Sequence, residues 1–122
     1  MSCRPVRAFL LSDRSIGING QIVRIAGEEL SFVTHPMIAE PVMGAGGVIP
    51  PAKGYFQAIL PILRKHDIPM ISDEVICGFG RTGQTWGCET YDYMPDAIIS
   101  SKNLTAGFFP MGAVILGEGL AK

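Results

Sequence analysis

With 122 residues, 48% of them hydrophobic, and a mean hydropathy of +0.30, the chain can bury one core and is excluded from the disordered class. Ten basic residues nearly cancel eleven acidic ones, for a net charge of −1. No run of like charge exceeds a pair, which removes the electrostatic footprint of nucleic-acid or anionic-membrane binding and leaves a small molecule as the expected partner.

Residues 1–31 carry scattered charges and turn elements (DRS, GING, AGEE) between short apolar pieces, and are expected to form a poorly determined hairpin or an unanchored leader. The apolar run AFLL is too short for a signal-peptide core. Residues 32–122 are regular. PMIAEPVMG reads as a buried strand stopped by the Pro- and Gly-rich turn GAGGVIPP. In AKGYFQAILPILRKHD, the residues Tyr55, Phe56, Ile59, Leu60 and Leu63 recur at helical spacing, and Arg64, Lys65 and His66 gather where the helix dipole favours cations. Pro61 is expected to kink that helix. IPMIS is the next strand, ended by Asp73 and Glu74, and TWGCETYDYMP is a short helix. DAIIS and MGAVILG are further strands. Strands alternating with a helix over short connections predict a parallel α/β sheet. Ligands of such sheets sit beyond the carboxyl ends of the strands, where Glu40, Asp73, Glu74 and the Ser100-Ser101-Lys102 run should meet.

Gly78 to Gly83 satisfy the pattern G-x-G-x-x-G. A dinucleotide loop needs its first glycine directly after a strand, so that backbone N–H groups meet the pyrophosphate. Here Asp73, Glu74 and three more residues intervene, and acids repel a diphosphate. The kinase version lacks its V-A-I-K, H-R-D and D-F-G partners. Gly78, Gly80 and Gly83 are therefore read as permitting unusual backbone angles near a binding rim.

The remaining chemistry lies in an acid and an amine, Asp73 and Lys102, each at the carboxyl end of a strand with room for one crossover between them. A rim salt bridge is the commonest fate of such a pair. Pyridoxal phosphate is the chemistry that needs both types at one site: a lysine to hold it as a Schiff base and a carboxylate to keep its ring nitrogen protonated.

The segments AEPVMGAGGVIPPAKGYF, IPMISDEVICGFGRTGQTWG and PDAIISSKNLTAGFFPMGAV resemble, in order and spacing, the central part of class III aminotransferases, over about Ile38 to Leu120. The resemblance implies a partial fold-type-I pyridoxal-phosphate transferase large domain with a mostly parallel α/β sheet. It implies pyridoxal 5'-phosphate as cofactor, an amino donor and an oxo-acid acceptor as substrates, a ping-pong transamination, and a homodimer. Carried over, it makes Lys102 the Schiff-base lysine and Asp73 the partner of the ring nitrogen. Val75 would pack on one ring face, and Glu40 would stand near the substrate side. Glu74 and Arg81 are expected to be structural, Ser101, Thr105 and Pro110 to shape the turn around the lysine, and Trp86 to pack rather than stack on the cofactor.

The family's upstream phosphate-binding turn, downstream threonine and small domain have no counterpart here. A sheet of this length is thus expected to leave apolar edges unpaired. The alternative reading is a non-catalytic truncated remnant or interaction module. Racemisation or an aminomutase shift on the same cofactor is a further possibility. Cys3, Cys77 and Cys88 fit neither a disulfide framework nor a zinc site, which predicts a reducing cytoplasm and no metal, with His35 and His66 in surface or core roles.

Overall fold

The computed structural model describes residues 22–26, 29–33 and 35–121, so that most of the leader reading for residues 1–31 lies outside the described residues. The chain divides into two units, Met1–His35 and Pro36–Lys122. In the first, β1 (Ile22–Ala26) and β2 (Glu29–Val33) form an antiparallel pair, with Ile22 opposite Val33 and Ala26 opposite Glu29.

The second unit is built on a sheet of β3 (Met37–Ala39), β4 (Met70–Asp73), β5 (Ala97–Ser100) and β6 (Ala113–Leu116), in that spatial order. The first three strands are parallel. β6 runs antiparallel to β5, because its connection holds only a 3₁₀ turn (Lys102–Thr105) and no helix to carry the chain back across the sheet. β3 is shorter than its apolar run, since Pro41 cannot donate to a ladder. The turn beyond it closes through the Met43 and Ile49 backbones, which exchange bonds of 3.0 Å.

Helix α1 (Tyr55–Lys65) starts after Gly54, whose left-handed φ of 79° lets the chain turn in from the prolines. It continues through Pro61. Its end is a left-handed Asp67 with Ile68 N–H donating to the Leu63 carbonyl at 2.9 Å, after which Pro69 prevents continuation. Phe56 and Leu63, seven residues apart on one stripe, are its buried residues. Phe56 stacks on Tyr93 with centroids 3.9 Å apart, in a core that also holds Met70 and Cys88 of helix α2 (Gly87–Thr90).

Both helices cover the same face of the sheet. Met37, Ala39, Met70 and Ile98 pack in the core with them, whereas Ile38, Ile71, Ile99, Val114 and Leu116 alternate to the other face. Two successive right-handed crossovers advancing in one direction put their helices on one side. The second face has no helical layer among the described residues: Ile38, Val114 and Leu116 are 56%, 62% and 52% exposed.

The asymmetry predicts unequal costs. Phe56→Ala should lower the unfolding free energy by about 3–5 kcal/mol, while Ile38→Thr on the open face should change it by less than about 1 kcal/mol, both read from urea transitions.

Candidate functional site

Strand alternation sorts the two carboxylates that end β4. Ser72 faces the helices and Asp73 the open side, and Glu74, one residue further, returns to the helix side. Glu74 is only 1% exposed. Its Oε2 accepts the Gly87 N–H and its Oε1 the Cys88 N–H, each at 2.8 Å, and Oε1 also accepts the Ser72 hydroxyl at 3.1 Å. The Ser72 hydroxyl in turn shares a 2.7 Å hydrogen bond with the Tyr93 hydroxyl. A buried charge is tolerable when it is hydrogen-bonded this fully, here by the first N–H groups of α2. Its field has a cost for its neighbours. The Cys88 thiol is pushed up to about 12, by burial first and then by the Glu74 charge, and burial likewise raises the Tyr93 phenol and the Cys77 thiol.

Asp73 is half-buried at the rim. Its Oδ1 accepts the Val75 N–H at 3.1 Å, and Oδ2 takes no hydrogen bond from a described residue. It shares a cleft of 540 Å³ with Ile38, Glu40, Tyr55 and Phe56. Glu40 itself is partly committed, since its Oε2 accepts the Gly44 N–H at 2.9 Å and closes the 43–49 turn.

Lys102 is exposed and opens the 3₁₀ turn beyond β5 with a left-handed φ of 36°, a strained setting for a residue with a side chain. Hydroxyls brace the loop that carries it: Ser101 Oγ donates to the Met111 carbonyl at 2.9 Å and Thr105 Oγ1 to the Phe109 carbonyl at 2.6 Å. Lys102 lines a depression of 280 Å³ with Val75, Ile76, Arg81 and Asn103. Val75 is thus beside Lys102, and Asp73 and Glu40 are together in the other cleft. The two groups meet along one rim, because Asp73 lies opposite Ile99, three residues before Lys102. No ion pair joins Asp73 to Lys102.

Residues that spacing did not single out hold these parts together. Asn103 Nδ2 donates to the Gly78 carbonyl and its Oδ1 accepts from Arg81, both at 3.4 Å, tying the lysine turn to the glycine loop. Nothing local in the sequence announces that bond, which links positions 25 residues apart. In the glycine loop, Gly80 and Gly83 have φ of 88° and 99°, as the rim reading requires. Gly78 has another reason: a Cβ there would stand 2.9 Å from the Glu74 carbonyl oxygen and 3.0 Å from the Trp86 ring. Trp86 packs over it, tilted against Phe79.

The donor set suits a planar, protonated heteroaromatic ring bearing an aldehyde. Among the described residues, Asp73 offers a carboxylate oxygen that accepts no hydrogen bond, Val75 an apolar wall, and Lys102 an amine without an ion-pair partner.

A family model described as aminotransferase class-III matches residues 21–122. Gamma aminobutyrate transaminase 3, chloroplastic, from Solanum lycopersicum is 57% identical over 79 residues, which cover 65% of this chain and 15% of that protein. Among solved structures, an omega-aminotransferase from Paracoccus denitrificans is 90% identical with a TM-score of 0.70, over 70% of this chain and 19% of the other. A PLP-bound aminotransferase mutant from Vibrio fluvialis is 85% identical with the same TM-score and coverage. The chain thus spans less than a fifth of the length of these relatives.

The raised thiol carries a stability consequence. Above pH 9 the unfolded chain loses the Cys88 proton while the native chain retains it up to about 12, so the native state binds more protons and stability must fall as pH rises through that window. The urea midpoint should therefore hold steady to about pH 8 and decline from pH 9 upward, and Cys88→Ala should flatten the decline.

Proposed function

Because the chain belongs to the class-III aminotransferase family, we propose that it carries the lysine and the ring-nitrogen acid of a pyridoxal-phosphate transaminase, moving an amino group from an amine or amino acid to an oxo acid. The observation that carries this reading is the placement of Asp73 and Lys102 at the carboxyl ends of adjacent parallel strands, without an ion pair between them. A mutual salt bridge would have consumed both groups. The Vibrio fluvialis relative, solved with PLP bound, supports the cofactor.

Pyridoxal phosphate, when bound, supplies an electron sink for the charge left when a proton leaves the substrate carbon beside nitrogen. Lys102 Nζ would hold the cofactor and, when free, would act as the base that takes that proton and the acid that delivers it to the cofactor. Asp73 holds a proton on the ring nitrogen through its uncommitted oxygen, an electrostatic contribution that grows as water is excluded. Val75 presents its methyl groups to one ring face beside the lysine, and Glu40 lines the substrate side of the Asp73 cleft. Donor and acceptor use the site in turn, which is ping-pong order. The same reading makes its working form a homodimer, while the cysteine usage, which fits no disulfide framework, favours a reducing cytoplasm.

A specific observation favours a second reading, a partial site that works only with further polypeptide. Val114, opposite Ile99 near the end of β5, and Phe108, 93% exposed in the loop after the 3₁₀ turn, present apolar surface close to the lysine turn. In that case the motif residues are present and the chain by itself does not turn over.

Incubating the purified chain with pyridoxal phosphate, reducing with borohydride and mapping peptides by mass spectrometry should find one pyridoxyl adduct, on Lys102 and not on Lys53 or Lys65. Lys102→Ala should abolish it. Equal labelling of all lysines would overturn the assignment of a site to this chain.

A further inference from the structure

Glu74 takes no part in the chemistry assigned above, yet it is one of the few charged or polar side chains that the fold buries completely. We propose that Glu74 is a positioning residue for Asp73: its buried carboxylate fixes the chain leaving β4 so that the Asp73 carboxylate stays on the open face, folded onto the Val75 amide. The inference rests on the reading of Asp73 as the ring-nitrogen partner.

Residues 73 and 74 share a peptide bond and point to opposite faces, so a rotation that moves one side chain moves the other. Every polar group of Glu74 is committed. Its N–H donates to the Ile99 carbonyl at 2.8 Å, extending the β4–β5 ladder one residue toward the strand that leads to Lys102. Its carbonyl accepts the Gly78 N–H at 2.9 Å, which closes the turn that holds Val75 and Ile76. Its side chain grips the first amides of α2. That helix is closely packed at its start, since a Cβ on Gly87 would stand 2.7 Å from Pro41 and 3.0 Å from Cys77, whereas 73–76 runs along the rim.

Among the described residues, the compensation for the charge is hydrogen bonds, with no cation paired to it. Glu74→Gln keeps the shape but turns one acceptor oxygen into an N–H₂ donor aimed at a backbone N–H. The repulsion has to be relieved by the segment that can move, and with α2 closely packed that segment is 73–76. The Val75 N–H, which donates to Asp73 Oδ1, reports whether it does.

The test is amide hydrogen exchange on the cofactor-free full chain, wild type against Glu74→Gln, followed by Lys102 labelling with pyridoxal phosphate and borohydride. In the variant, Val75 exchange should accelerate about tenfold or more, since local opening sets the rate, and the Lys102 adduct should fall by a similar factor. Acceleration confined to Gly87 and Cys88, with Val75 unchanged, would show that Glu74 only pins the helix and would overturn the proposal. Should Glu74→Gln fail to fold, Ser72→Ala removes one donor and leaves both amide bonds. A smaller acceleration at Val75 is then expected, and none would equally overturn the proposal. Absence of any Lys102 adduct in the wild type defeats the transaminase reading, whereas Val75 exchange still decides the role of Glu74.

Discussion

The Glu74 carboxylate, sealed behind the sheet and bonded to the Gly87 and Cys88 amides, is the interaction through which the described parts of the site are joined. Ser72, itself bonded to Tyr93, and the short α2 reach that carboxylate by hydrogen bond, and the glycine loop reaches the Glu74 backbone carbonyl through the Gly78 N–H. A four-residue helix has too little length to be stable by itself, and here its position is dictated by an anion at its first turn and by Tyr93 beyond its end, stacked on Phe56. Burial first, and the Glu74 charge after it, raise the Cys88 thiol, which makes Cys88 an inert packing residue.

From that anchor follows the polarity of the sheet. Both helices lie on the Glu74 side, so Asp73 is left on a face without a helical layer, at a rim where the strand ends converge. A carboxylate there is only half-buried and, among the described residues, keeps one oxygen without a hydrogen bond. Lys102 reaches the same rim by a different device. Its left-handed backbone is held by the Ser101 and Thr105 hydroxyl bonds on either side and by Asn103 reaching across to Gly78, so the strain is sustained by bonds to other segments. Among the described residues, hydrogen-bonded supports thus lie under an acid and an amine that form no ion pair with each other.

The elements themselves were legible in the sequence because their signals are local. The 3.6-residue stripe of Tyr55 to Leu63, the strand runs ahead of Asp73 and Lys102, and the Pro–Gly stops all act over a few residues, and the three motifs named the family from residue identity alone. Local signals also carried the inference that Gly80 and Gly83 relieve backbone angles. They failed for Gly78, whose missing side chain makes room for Trp86, and for β6, whose apolar run says nothing about its direction.

Sequence by itself determined which segments form strands and helices, that Asp73 and Lys102 lie at or just beyond strand ends, and which chemistry that pair of residue types suits. Only the tertiary structure decided which of the adjacent carboxylates is buried and fully hydrogen-bonded and which stands at the rim, that both helices share a face, and that Asn103 and Ser72 are supports. The physical reason is distance along the chain. Glu74 is satisfied by amides 13 and 14 residues away and Asn103 by a carbonyl 25 away, and bonds of that span exist only once the crossovers have brought their ends together.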